Sequence, residues 1–181
     1  MNALAIDLGT TTGYALSVEG GDFFAGSWLL ASPAVVTQAK RDRLDRRLDP
    51  RIPIFDQTLR RELPLFKVDW LFFEDVQFGK TLQQVQLWSS FRGVLWAAAA
   101  AYNVRVECCP VGTLKKFGSG FGGSDKNGMA YGLCKRDPDR FKLVGKKVKD
   151  CVTGQILDDN AVDALHLLKW GLELTRNWKR S

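Results

Sequence analysis

The chain has one histidine, His166, and four cysteines at positions 108, 109, 134 and 151, none in a CxxC pair. That is too few soft ligands at metal-binding spacing for a zinc centre, and reduced thiols are the expectation. It lacks an apolar run of the ~18 residues that a membrane span needs. The longest apolar stretch, Val94 to Tyr102, is short and mostly alanine. The opening MNALAIDLG has neither a basic region nor a cleavage signature, so the expected location is the cytoplasm, with no membrane partner. Repeats, low-complexity tracts and a dividing linker are also missing, which predicts one domain over residues 1–181. What is present is ordinary globular composition: 45% hydrophobic, 11% aromatic, 25% charged. Lys plus Arg is 26 against 20 Asp plus Glu, a net charge of +6 that points weakly to polyanions.

The pattern predicts strands at Ala3–Leu8, Gly13–Val18 and Asp22–Leu30, the last two joined by a Gly20-Gly21 hairpin. Residues 39–63 carry apolar residues at helical spacing, interrupted by Pro50 and Pro53. Val68–Phe73 is apolar enough for a central strand. Thr81-Leu82-Gln83-Gln84 marks the start of a helix reaching about Asn103. A strand at Val104–Cys108, a short helix from Pro110 to Phe117 and a glycine loop at 118–123 follow. Ser124 is placed to cap a helix to Arg136, and residues 137–156 read as irregular and basic. A last helix spans about Asp158 to Trp178. This order describes an α/β fold: a five-stranded mixed sheet, its first three strands antiparallel, with helices on both faces.

Three acids stand out. Asp7 ends the first strand and Glu74 stands at the tip of the central one. Like charges at the ends of neighbouring strands repel, unless a cation neutralises them. The third sits in Asp158-Asp159-Asn160-Ala161-Val162-Asp163, where Asp159 and Asp163 share a helix face and Asn160 flanks it. Ala161 and Ala164 are small enough for close approach to a sheet. Oxygen-rich acidic clusters bind Mg²⁺ or Mn²⁺, and two such ions can clamp the attacking and leaving oxygens of a phosphodiester.

AIDLGTTTGYAL (5–16), FEDVQF (73–78), FRGVLWAAA (91–99), PVGTLKKFGSGFGGSDKNGM (110–129) and DDNAVDAL (158–165) stand in the order seen in RuvC. Across nearly its whole length the chain resembles this family of Holliday junction resolvases. The resemblance implies a ribonuclease H-like fold and a homodimer that cuts four-way DNA junctions with Mg²⁺, for which Mn²⁺ can substitute, two ions per site. It matches Asp7, Glu74 and Asp163 to the family's acids. The family's remaining acid falls on Asn160, with Asp159 adjacent to supply charge. It matches Lys115, Lys116 and Lys126 to the family's lysines, as phosphate contacts. Gln77, with Phe78 next to it, matches the position of its junction-inserting aromatic. Paired cuts across a junction call for two sites related by a two-fold axis. The long helix from Thr81 offers Leu87, Trp88, Phe91 and Leu95 as the expected interface. Arg92, in that helix, is expected to serve structure.

Other readings stay open. Asp-Leu-Gly-Thr-Thr-Thr-Gly also looks like the phosphate hairpin of actin-like ATPases, which need a second copy of the fold. A YqgF-type nuclease acting on RNA has the same fold but lacks the lysine–glycine loop stretch. A junction-binding protein that has lost cleavage through Asn160 is the non-enzymatic alternative.

Overall fold

The computed structural model describes residues 1–21, 23–42, 49–75 and 81–178. Strands β1 (Ala3–Asp7), β2 (Thr11–Ser17) and β3 (Phe23–Leu29) open the chain. Helices α1 (Pro33–Arg41) and α2 (Arg51–Leu65) lead to β4 (Trp70–Asp75), α3 (Leu82–Ala101) and β5 (Arg105–Pro110). Next come α4 (Val111–Ser119), α5 (Lys126–Arg136) and the strands β6 (Phe141–Val144), β7 (Lys147–Asp150) and β8 (Ile156–Leu157). Helix α6 (Asp159–Trp178) follows.

The main sheet has the order β3-β2-β1-β4-β5. β1 pairs antiparallel with β2, and β2 with β3, whereas β1–β4 and β4–β5 are parallel. Left-handed Gly20 and Gly21 turn the chain between β2 and β3, where Gly21 N donates to Val18 O. The expected mixed α/β sheet is therefore present, and it is ribonuclease H-like in arrangement.

Alternation along the strands sorts side chains to two faces. Leu4, Ile6, Leu71 and Phe73 meet α2 and α3 through Phe55, Leu59, Phe91 and Leu95 on one face. Ala3, Ala5, Ala15 and Phe72 meet α6 through Ala161, Ala164 and Leu168 on the other. The alanines on β1 and β2 keep the second face low, so a helix can lie close to it.

Four local expectations need correction. The long helix begins where Thr81 accepts from Gln84 N, as its sequence indicates, but Leu87, Phe91 and Leu95 do not form an external surface. Phe91 and Leu95 are fully buried against α2 in the chain's own core, and Phe91 packs on Phe55 with ring centroids 5.0 Å apart. The helical stretch before β4 starts earlier than expected, with Ser32 capping α1 and Pro33 in its first turn. The cap of α5 is Asp125, which accepts from Gly128 N at 2.9 Å, while the Ser124 hydroxyl bonds to Ser119. Residues 137–156 are not irregular: β6, β7 and β8 form a second antiparallel sheet.

Candidate active site

Register and alternation bring the first two acids together. Ile6 pairs with Phe73, so Asp7 and Glu74 lie one step further along neighbouring parallel strands. Both follow the α6 side of the alternation: Ala3, Ala5, Asp7 on β1 and Trp70, Phe72, Glu74 on β4. The two carboxyl groups stand close enough for the charge of Glu74 to raise the proton affinity of Asp7.

The third acid arrives with α6. Gly13, opposite Asp7 on β2, lies under the start of that helix. A Cβ at Gly13 would stand 2.0 Å from the Asn160 carbonyl oxygen. Only glycine lets α6 descend this far, and the descent carries Asp163 to the two strand acids. Asp158 caps the helix by accepting from Ala161 N at 2.9 Å, and receives the Ser27 hydroxyl at 2.7 Å. A cap of this kind contributes about 1 kcal/mol. Sequence reasoning had not separated Asp158 from Asp159 in this role. The signal was its place three residues before Ala161.

The electrostatics record the convergence. Asp7 is held well above the usual carboxylate range, first by desolvation and then by the charges of Glu74 and Asp163. Glu74 is pushed up to about 7 by burial and by Asp163, against the pull of Lys115. Asp163 is pushed up to about 6 by burial and by Asp159, opposed by Lys126 and Lys115. All three remain partly open at the surface. The site can thus meet a large substrate without a deep pocket. A cavity of about 440 Å³ lined by Tyr14, Trp28, Phe24 and Phe66 lies on the other face of the sheet, away from the acids.

The lysines divide. Lys115 is half-buried and acts on Glu74 and Asp163, whereas its neighbour Lys116 is exposed. Lys126 Nζ donates to Asp159 Oδ2 at 2.8 Å, and its charge favours the ionised forms of Asp7 and Asp163. Both partners of that ion pair are largely exposed, so it contributes little to stability. Asn160 is half-buried with its backbone on Gly13. Gln77 and Phe78 lie outside the described residues. Arg92 Nη1 reaches Asp75 Oδ1 at 2.7 Å and the guanidinium lies 4.6 Å from the Trp96 ring centroid. It ties α3 to β4 one residue beyond Glu74.

The donor set is carboxylate oxygen, which suits hard divalent cations, and a cation between the acids would relieve the repulsion that raises their proton affinities. Among the described residues, no group of three or more His, Cys, Asp and Glu side chains forms a ready-made metal cage. Asp7 and Glu74 carry raised proton affinities, and each carboxyl group must lose its proton before it can serve as a ligand.

No protein-family model matches the sequence, and no curated protein matches it. Solved structures do. T. thermophilus RuvC in complex with a Holliday junction substrate superposes with a TM-score of 0.62 at 16% identity, covering 92% of this chain and 90% of that one. This chain has the RuvC fold. A second Thermus thermophilus RuvC structure gives a TM-score of 0.56, again at 16% identity, over 94% of this chain and 97% of the other. The likeness to RuvC therefore runs through the whole architecture and not through one motif. Among the described residues no helix is long and apolar enough to cross a membrane.

Proposed function

We propose that the chain is a single-domain, structure-selective endonuclease that cuts four-way DNA junctions by Mg²⁺-dependent phosphodiester hydrolysis. The observation that carries this reading is the convergence of Asp7, Glu74 and Asp163 from β1, β4 and α6, each with raised proton affinity, beside Lys115 and Lys126. The RuvC fold, with RuvC itself solved on a Holliday junction substrate, supports the choice of DNA substrate.

In this reading Asp7, Glu74 and Asp163 hold Mg²⁺ or Mn²⁺, two ions per site, with Asp159 or Asn160 completing the set. The ions supply Lewis acidity at the scissile phosphate. Asp7 and Glu74, once deprotonated, present oxygens on one face of the sheet. Lys115 stays close enough to stabilise the ionised acids and meets the phosphate's developing negative charge. Lys126 exchanges Asp159 for a DNA phosphate, which frees the Asp159 carboxylate to face Asp163. Lys116, exposed on the same helix, adds a phosphate contact.

Two sites are needed to cut a junction symmetrically, so the active species is a homodimer. With Leu87, Phe91 and Leu95 committed to the core, Leu82, Val85 and Trp96 are the exposed apolar residues that α3 offers to a partner.

The test is a comparison of a labelled synthetic four-way junction, a linear duplex of the same sequence and a matching RNA hairpin, each with Mg²⁺. Paired nicks in the junction, with the other two intact, are the expected result. Cleavage of the RNA alone would assign the chain to the YqgF-type reading. Tight junction binding without cleavage would assign it to the non-enzymatic one.

A further inference from the structure

The hairpin formed by β6 and β7 carries a charge pattern that its own fold does not explain. Lys142 stands directly opposite Lys149 and Val144 opposite Lys147, so three lysines share one face. Lys146 adds a fourth in the turn, beside left-handed Gly145. All four are exposed. Like charges directly opposite across a strand pair destabilise it. Among the described residues no acidic side chain pairs with any of them.

The opposite face is firmly seated. Phe141, Val148 and Leu157 are buried, and Asp150 is 4% exposed. Arg140 bonds to Asp150 at 2.9 Å and to the Phe23 carbonyl at 2.7 Å, with its guanidinium 3.6 Å from the Phe23 ring centroid. The hairpin is thus fixed to the start of β3 and presents its lysines in a set array. Neighbours are spaced about 5 Å across the strands and about 7 Å along them.

Register also relates this array to the start of α6, the helix that carries Asp163. Val148 pairs with Leu157, so Lys147 is level with Asp158, the cap of α6. Asp158 in turn accepts from Ser27, which stands level with Gly13 and Asp7 across β3, β2 and β1.

We propose that the lysine face of the β6–β7 hairpin binds the phosphate backbone of a DNA duplex arm next to the acid cluster. A polyanion crossing this face removes the repulsion between Lys142 and Lys149, and the seated base makes the contact a rigid one. The inference rests on the nuclease reading and extends it: it names a DNA contact outside the loop and helix lysines already considered.

The experiment measures binding of a fluorescent four-way junction, and of a linear duplex, at several salt concentrations in EDTA, where cleavage is suspended. Wild type is compared with the quadruple variant Lys142→Gln, Lys146→Gln, Lys147→Gln, Lys149→Gln. A second quadruple variant, Lys40→Gln, Arg41→Gln, Lys67→Gln, Lys135→Gln, removes equal charge elsewhere. The hairpin variant is expected to bind the junction at least tenfold more weakly near 100 mM salt. Its slope of log affinity on log salt should fall in magnitude by about 0.9 per lost phosphate contact, about 2 to 4 in all. The control should change neither quantity. An unchanged slope in the hairpin variant, or an equal fall in the control, would overturn the proposal.

Melting temperatures verify folding. If the quadruple variant melts early, the double variant Lys146→Gln, Lys147→Gln carries the test, with an expected slope change of about 1 to 2. Cleavage of the same junction by wild type in Mg²⁺ is measured in parallel. Wild type that binds but never cuts sinks the nuclease reading alone, with the hairpin still judged by its slope. Wild type that binds neither DNA sinks both.

Discussion

Glu74→Gln is expected to abolish junction cleavage and, at pH 8 without divalent metal, to raise the melting temperature. The two effects have one cause. Glu74 is pushed from its ordinary 4.5 up to about 7 by burial and by Asp163. Between those values the folded chain holds a proton that the unfolded chain has lost. The contribution of Glu74 to stability is therefore complete below about pH 4.5 and is lost as pH rises through 7. At pH 8 the ionised group costs about 2 kcal/mol after allowance for its partial exposure, and a neutral amide of the same shape escapes that cost. For a chain of this size the gain is roughly 4–8 °C.

The advantage of glutamine should shrink on acidification and vanish below about pH 4.5. His166 has an opposing pH dependence. Burial holds it down at about 4, with Nε2 donating to the Met129 carbonyl at 2.9 Å, so its contribution is lost as pH falls from 6.5. His166 is present in both proteins and cancels in the comparison. Mg²⁺ at pH 8 should stabilise wild type and leave Glu74→Gln unmoved. Paired melting curves across pH, beside a cleavage assay, check all of this. A variant that melts below wild type at pH 8, or that still cuts, contradicts the assignment of Glu74.

Gly13→Ala is expected to be the most damaging single methyl group near the acid cluster. Its Cβ would stand 2.0 Å from the Asn160 carbonyl oxygen and 2.4 Å from the carbonyl carbon. Both are backbone atoms, so no rotamer change relieves the clash and α6 must lift from β2. Overpacking of this kind costs roughly 3 kcal/mol. Lifting α6 also carries Asp163 away from Asp7 and Glu74, and a displacement of about 1 Å can cost ~100-fold in rate. Gly112→Ala is the control, since a Cβ there meets nothing within 4 Å. The expected result is a melting temperature lower by about 6–12 °C for Gly13→Ala alone, together with loss of cleavage at temperatures where the variant remains folded. Equal melting of the two variants would show that α6 is not seated through Gly13.

These expectations draw on features of unequal legibility in the sequence. The strands Ala3–Asp7 and Trp70–Asp75 were readable as apolar runs because both faces of each are buried, which leaves Asp7 and Glu74 conspicuous at their ends. The pairing of Asp7 with Glu74 followed from both standing at strand ends. The second sheet was hidden because β6 and β7 are four residues each and lysine-rich, with Phe141 and Val148 their only fully buried apolar side chains. The stripe Leu87, Phe91, Leu95 was legible as apolar, but its cover, Phe55 and Leu59 on α2, has the same spacing and lies far off in sequence. A stripe alone does not say whether its partner is another helix of the same chain or a second copy. The role of Gly13 was invisible for a similar reason, since nothing local says that a helix some 150 residues later will rest on it.

If the acids of β1, β4 and α6 form a divalent-metal nuclease centre, cleavage depends on both the metal and Asp7. Single-turnover cleavage of a fixed four-way junction by wild type and Asp7→Asn, each in Mg²⁺ and in EDTA, tests it most directly. Symmetric nicks are expected only for wild type in Mg²⁺, with Asp7→Asn binding the junction as tightly but leaving it whole. Cleavage in EDTA, or by Asp7→Asn at the wild-type rate, would contradict it.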